Sequence, residues 1–514
     1  MKRALTAPDR LDTPGRETAK YEARLADWRM GHTVYQIYVD RFAPSQRLDG
    51  KRHHYASPKL LRDWSQQPSR GNYLADVHNN EGEIEFWGGD FDSVRGKVDY
   101  LKQLGVEVVY FNPVFEAFTN HKYDGYDYFR IDPQFGTKEE LKELVEELHA
   151  NGIRVLLDGV FNHLGRRSPH FLEAKADPSS PKRSWFFFGD EYRNGYRAWR
   201  NGANLPELNL ENPEVRRMAI EGPDSAVQHY IRDIGIDGWR IDVGPDVGYR
   251  WLRAVTDNSH EARPDTVVIG ECWNYPEEWL HVMDGVMNMH ARMLLLKGIG
   301  GEMPARALAR ALDRMAADCD EDGLLRSHLV LDNHDTPRLR HFLKSHVQRA
   351  LARTLQFTLP GCPVVYYGSE ADMDGGHDPG SRGPMDWDAA NDTNPHFRLV
   401  KQLAELRREH PALRVGSFRV LEAEKLLAFI RTTDRARETI LVLANPSREW
   451  VRELVPIRDS RLMDASALRC LLSGERVHLQ CGTIETTVPP HSARVYRTED
   501  LGDRPGYSMF KRVP

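Results

Sequence analysis

Cysteine is scarce. The chain of 514 residues has five, Cys272, Cys319, Cys362, Cys470 and Cys481, an odd number with no CxxC or Cys/His spacing. That excludes a disulfide framework and argues against a zinc site. No apolar run approaches the ~20 residues a membrane span needs. The opening stretch MKRALTAPDRLDTPGRETAKYEARLADWRMG has no apolar core of the secretory kind. The expectation is a cytoplasmic protein with reduced thiols and no membrane partner. Blocks of one charge are missing as well: Lys plus Arg is 70 against 76 for Asp plus Glu, a net charge of −6 spread along the chain. Nucleic acid is therefore not an expected partner. Internal repeats and low-complexity segments are also absent.

What is present reads as a globular enzyme of about three domains, at roughly 150 residues each. Charged residues make up 28% and hydrophobic ones 40% of the chain, which excludes large-scale disorder. Residues 1–30 read as a polar surface extension with a short helix at 17–30. After them, eight β-branched or aromatic runs recur, at 34–39, 106–111, 153–158, 236–243, 266–271, 285–289, 328–333 and 364–368. Amphipathic segments separate them. In KEELKELVEELHANG at 138–152, Leu141, Leu144, Val145 and Leu148 form a helical stripe that Asn151-Gly152 ends. Eight such units predict a (β/α)8 barrel over 31–163 and 214–413. The Pro-, Ser- and Arg-rich stretch 164–213 is too long for a plain loop and predicts an inserted domain after strand 3. After a helix at 399–413, short alternating runs predict a C-terminal antiparallel β-sandwich domain over 414–514.

Catalytic groups of such barrels sit where strands run into the following loops. Asp158 closes the third strand, Asp242 the fourth and Glu271 the fifth, and Asp335 follows the seventh. One acid in such a place is an ordinary strand-end or capping residue. Four of them, with Arg240 two residues before Asp242 and His334 beside Asp335, converge on one mouth. A cationic sugar-like transition state needs negative charge, and a leaving glycosidic oxygen needs a proton.

DGVFNH at 158–163, GWRIDV at 238–243, GECW at 270–273 and DNHD at 332–335 resemble the four signature regions of the alpha-amylase family of glycoside hydrolases, in order. FNPVFEAFTNHKYDGYDYFRIDPQFG at 111–136, LPELN at 205–209 and the segment 361–388 are similar to its cyclomaltodextrinase, neopullulanase and maltogenic amylase group. The resemblance covers about residues 31–500. It implies Asp242 as nucleophile, Glu271 as general acid/base, protonated at the start of the cycle, and Asp335 as transition-state stabiliser, with retention of configuration. It further implies that Arg240 orients Asp242 and that His163 and His334 bind sugar hydroxyls. Tyr126, with Tyr123 as its rival, would stack under the sugar; Asp124 or Asp127 would reach hydroxyls, and Trp273 would line the acceptor side. Asp158 joins the substrate-binding set, and Asp374 with Arg382 would clamp the donor end or simply fix their loop.

The chain departs from the group in three ways. Only about 30 residues precede the barrel, so the group's N-terminal β-domain is expected to be absent, leaving monomer and homodimer both open. The loop DRFAPSQRLDGKRHHYASPKLL after strand 1 is poor in oxygen ligands, and calcium takes 6–8 of them, so no metal or other cofactor is expected to be required. DVGPDVGYRWL after the nucleophile carries Gly244 and Pro245, which implies altered acceptor subsites. The expected substrates are short α-1,4 or α-1,4/α-1,6 glucans, cyclodextrins or pullulan-type oligosaccharides. A cyclic α-1,4/α-1,6 tetrasaccharide or glucan transfer is the alternative, and an inactive amylase-like interaction module a remote one.

Overall fold

The computed structural model describes residues 14–499 apart from 460 and 463, and for 14–17 only the helical backbone. Residues 1–13 and 500–514, parts of the two terminal regions delimited above, lie outside the described residues. Eight parallel strands close into a barrel: β1 (Val34–Ile37), β2 (Val108–Phe111), β3 (Arg154–Gly159), β4 (Gly238–Ile241), β5 (Val267–Cys272), β6 (Gly285–Asn288), β7 (His328–Val330) and β8 (Cys362–Tyr366). Each pairs with the next, and β8 pairs back onto β1. The strands are short and mainly apolar because both faces are buried. Val108, Tyr110, Leu156, Ile269, Met287 and Val364 fill the barrel, while Val109, Phe111, Val155, Leu157, Trp239 and Ile241 face the helices.

The first helix, α1 (Pro14–Ala26), begins and ends earlier than its sequence pattern predicts. It is not a loose extension. Arg24 lies buried, its guanidinium 2.7 Å from Glu321 and 2.6 Å from Asp322, and donates to the Val415 carbonyl at 3.2 Å. Helix α2 (Lys138–Ala150) buries the four apolar residues of its stripe; a capping box between Thr137 and Glu140 starts it and Asn151 caps its end.

Three excursions leave the barrel. The connection from β1 to β2 runs over some seventy residues, with two-residue ladders pairing 60–61 with 85–86 and 73–74 with 79–80. Its size is not evident from the sequence pattern, because the segment lacks long apolar runs. After β3 the chain forms α3 (Pro169–Ala176) and a knot of rings in which Phe171, Phe186, Phe188 and Tyr196 pack edge to face or stacked. After β4 comes a single turn, α4 (Gly244–Val247).

Helix α5 (His346–Thr358) precedes β8. The predicted helix at 399–413 is two, α6 (Pro395–Glu409) and α7 (Pro411–Val415), because Pro411 cannot continue α6. Eight antiparallel strands follow: β9 (Ser417–Val420), β10 (Leu427–Thr432), β11 (Ile440–Asn445), β12 (Val451–Pro456), β13 (Ala467–Cys470), β14 (Arg476–His478), β15 (Thr483–Val488) and β16 (Ser492–Thr498). They form a six-stranded sheet in the order β9-β10-β11-β16-β13-β14 and a two-stranded one of β12 and β15. Ala428, Ile430, Leu441 and Leu443 face the small sheet. Leu427, Phe429, Val442 and Val495 turn the other way and share a core with Leu351 and Leu355 of α5. Two buried arginines lie near the junction: Arg407 ties α6 to the barrel through the carbonyls of Gly31 and Phe357 at 2.7 Å, and Arg431 of β10 crosses to that of Thr358 at 2.8 Å while also donating to Gly416 at 2.8 Å.

Candidate active site

Register builds the site. Asp158 on β3 pairs across the ladder with Arg240 on β4, and Ile241 pairs with Gly270 on β5. One residue further along, Asp242 and Glu271 come level. Side chains two apart share a face, so Arg240 and Asp242 both point to the barrel mouth. Arg240 Nη1 is 2.8 Å from Asp158 Oδ1 and 3.1 Å from Asp242 Oδ1, and Nη2 is 2.9 Å from Glu271 Oε2. One fully buried guanidinium therefore serves three carboxyls.

Asp335 lies five residues past β7. Its Oδ2 is 3.0 Å from His334 Nε2 and its Oδ1 3.3 Å from Arg382 Nη2. Arg382 also donates from Nε to the His334 carbonyl at 2.9 Å. Gln36 bridges Asn112 Oδ1 (3.0 Å) and His334 Nδ1 (2.9 Å) through its amide nitrogen, an arrangement that suits the tautomer with the proton of His334 on Nε2. It meets the Tyr123 hydroxyl at 2.6 Å, and that hydroxyl donates to Asp158 Oδ2 at 2.8 Å. The Tyr123 and His334 rings are stacked at 5.4 Å. The Asp335 and Asp242 arms of the site are thus joined through Tyr123 and Asp158.

Two of Glu271's neighbours come from backbone geometry and from a ring. Val243 adopts φ 43°, ψ 50°, a left-handed conformation costly for a β-branched residue. In it the Val243 N–H donates to Glu271 Oε2 at 3.0 Å. The Trp273 indole donates to Glu271 Oε1 at 2.9 Å while the ring stays half exposed.

Electrostatics follow from three acids around one buried cation. Burial pushes the Asp242 carboxyl well above the ordinary carboxylate range; Arg240 pulls it down, and Glu271 and Asp158 push it up again. Asp158 is likewise raised by burial against Arg240. Burial also acts on Asp335, but His334 and Arg382 outweigh it and hold that carboxyl below its usual range. Burial pushes His163 down to about 4. Its Nε2 is buried without a hydrogen-bond partner, and its ring lies 6.0 Å from that of Trp199 in the inserted segment.

Several expected site residues take other positions. The ring beside the acids is Tyr123; Tyr126 packs against a small cluster around Tyr55, Ile84 and Phe86, because the turn at 122–126 sends the two rings apart. Asp124 is buried and accepts from the Thr119 hydroxyl and N–H, so it fixes that turn. Asp127 accepts from its neighbour's backbone, the Phe129 N–H. Asp158 is buried and accepts from Arg240, Tyr110 and Tyr123, which makes it a holder of Arg240. Asp374 is half exposed, 3.8 Å from His341 and 3.9 Å from Lys344. Arg382 pairs instead with Asp378 at 3.1 Å and with Asp335. Gln36, Asn112 and Tyr110 escaped the sequence reading; each is a polar group on the inward face of an apolar strand or at its end, and that alternation is the signal.

Among the described residues no group of three or more His, Cys, Asp or Glu side chains could hold a metal ion. Fold and site together define a (β/α)8-barrel protein with carboxyls gathered around one buried arginine at its mouth. The chain belongs to the alpha-amylase family, whose catalytic-domain pattern matches residues 36–394. A cyclomaltodextrinase from a Bacillus species is 38% identical over 374 residues, which is 70% of this chain and 66%, just under two thirds, of the relative. A cyclomaltodextrinase from Geobacillus thermopakistaniensis is 33% identical over 487 residues, 92% of this chain and 78% of its own. The ligand-free structure of a cyclic alpha-maltosyl-(1→6)-maltose hydrolase from Arthrobacter globiformis superposes with a TM-score of 0.76 at 28% identity, covering 92% of this chain and 99% of that one.

Proposed function

We propose that this chain hydrolyses short α-linked glucose oligosaccharides with retention, through a glycosyl-enzyme on Asp242. The observation that carries the reading is the single guanidinium of Arg240, which binds one oxygen each of Asp242 and Glu271. Two carboxyls that reach the two ends of one guanidinium suit the narrower, retaining separation of about 5–5.5 Å better than the wider inverting one. Asp242 Oδ1 is tied to Arg240, and Oδ2 makes no hydrogen bond among the described residues, which leaves it to attack the anomeric carbon. Glu271 gives its proton to the departing oxygen and takes one back from water in the second step. While Glu271 holds the proton it carries no charge, so it no longer opposes ionisation of Asp242. Asp335, kept ionised, faces the positive charge of the transition state, and the orphaned His163 Nε2 takes a sugar hydroxyl.

Cyclodextrins and linear or branched short glucans are the substrates the named relatives support. A second reading, a cyclic α-1,4/α-1,6 tetrasaccharide, is favoured by the near-complete length match to the Arthrobacter hydrolase. Chromatography of products from maltotriose, γ-cyclodextrin, pullulan and cyclic maltosyl-maltose separates the two. Turnover of the cyclic tetrasaccharide alone selects the second, and inertness toward all four sinks both. We carry no required metal as part of this reading. Where oxygens converge beside β1, Lys51 Nζ lies 2.8 Å from Asp90 Oδ2 and 2.9 Å from the Gln134 carbonyl, an ammonium supplying the cation. Dialysis against a chelator should leave the rate unchanged. No described helix is long and apolar enough to cross a membrane, and a Bacillus subtilis relative, 31% identical, is named an intracellular maltogenic amylase; a cytoplasmic location is proposed on that support.

A further inference from the structure

The two oxygens of Glu271 stand in unlike surroundings. Oε2 lies 2.9 Å from Arg240 Nη2 and accepts the Val243 N–H at 3.0 Å. A proton placed there would face a guanidinium and a backbone donor. Oε1 has one partner, the Trp273 indole N–H at 2.9 Å. A neutral carboxyl whose hydroxyl is at Oε1 keeps a lone pair there for that N–H.

We propose that Oε1 is the oxygen through which Glu271 exchanges its proton, and that the Trp273 indole N–H is the positioning group that holds it and strengthens the acid. The inference rests on the hydrolase reading above. In the first step the bond from the anomeric carbon to the leaving oxygen breaks, Asp242 supplies the new bond to carbon, and the proton passes from Oε1 to the leaving oxygen. In the second, water bonds to the anomeric carbon, its proton goes to Oε1, and the bond to Asp242 breaks. Glu271 becomes an anion in the first step, and a hydrogen bond to an ionised oxygen is roughly twice as strong as one to a neutral group. The indole therefore favours proton release. Its ring is half exposed beside this contact, so one residue can serve both acid strength and contact with the leaving group.

Trp273→Phe keeps the ring and deletes the donor. On γ-cyclodextrin or maltotriose its kcat/KM should fall about 5–10-fold, a loss in line with the difference between a hydrogen bond to a charged oxygen and one to a neutral oxygen. The alkaline limb of its pH profile should move upward by roughly 0.5–1 unit. On 4-nitrophenyl maltoside, whose leaving group needs little protonation, the loss should stay within about twofold. Trp273→His, which restores a ring N–H, should recover part of both effects. An active enzyme whose Trp273→Phe variant keeps its alkaline limb, or loses equally on both substrates, overturns this proposal alone. A wild-type protein with no turnover of any of these substrates overturns the hydrolase reading and this with it.

Discussion

At the residue scale the decisive object is the Arg240 guanidinium. It is fully buried yet surrounded by Asp158, Asp242 and Glu271, and burying a charge is tolerated only when it is paired. The acids were legible in the sequence because they close or closely follow apolar strands in a fixed order. The partners that hold them were less so. Tyr123 and Tyr126 stand three residues apart in one turn, and only its path decides which ring meets His334. Asp158 shows how local role follows from hydrogen-bond partners: its charge helps keep the Asp242 carboxyl raised. Asp158→Asn removes that charge and frees Arg240 for Asp242. Asp242 should then ionise at lower pH, and the acidic limb of kcat/KM should move down by roughly one unit. A limb that moves up in pH–rate profiles would contradict this assignment.

At the scale of elements, the eight barrel strands could be read from β-branched runs to within a few residues, since strands buried on both faces have little but apolar side chains. The C-terminal sheets were harder. β12 reads VRELVP, with Leu454 exposed and charges between, and β15 reads TIETTV, so neither is a plain apolar run. The β4-to-α4 turn carries its own prediction. Val243 holds Glu271 Oε2 only in a left-handed conformation, which costs a non-glycine residue about 1–3 kcal/mol. Val243→Gly should remove that cost and leave the thermal midpoint equal or higher, while the loosened turn lowers kcat. Calorimetry together with initial rates checks this; a clear drop in the midpoint would show that the Val243 side chain contributes more than its backbone costs.

At the scale of the whole molecule, barrel and C-terminal sheets share one apolar cluster and the Arg431 contact with Thr358, so they should unfold together. The long excursion between β1 and β2 was the least legible part, because short ladders held by loop contacts leave no periodicity. Stability should depend on pH through histidines buried without charge. Burial pushes His163 and His396 down to about 4 and His328 to about 3. The unfolded chain takes up these protons first, near 6.5. Their contribution, roughly 3 kcal/mol each for His163 and His396 and about 5 kcal/mol for His328, is therefore complete above that pH and is lost as pH falls toward 4 and below. Thermal midpoints recorded from pH 7 to 4 should drop through this window; a flat profile would mean these rings are charged in the fold.

The central claim is that Asp242 forms a covalent bond to sugar while Glu271 handles the proton. A maltosyl fluoride has a leaving group that needs no acid, so a Glu271→Gln variant should complete the first step and stall without its base. Intact-protein mass spectrometry of that mixture should show one added maltosyl unit, and peptide mapping should place it on Asp242. An adduct on any other side chain, or product released with inverted configuration by the unmodified enzyme, would contradict the account.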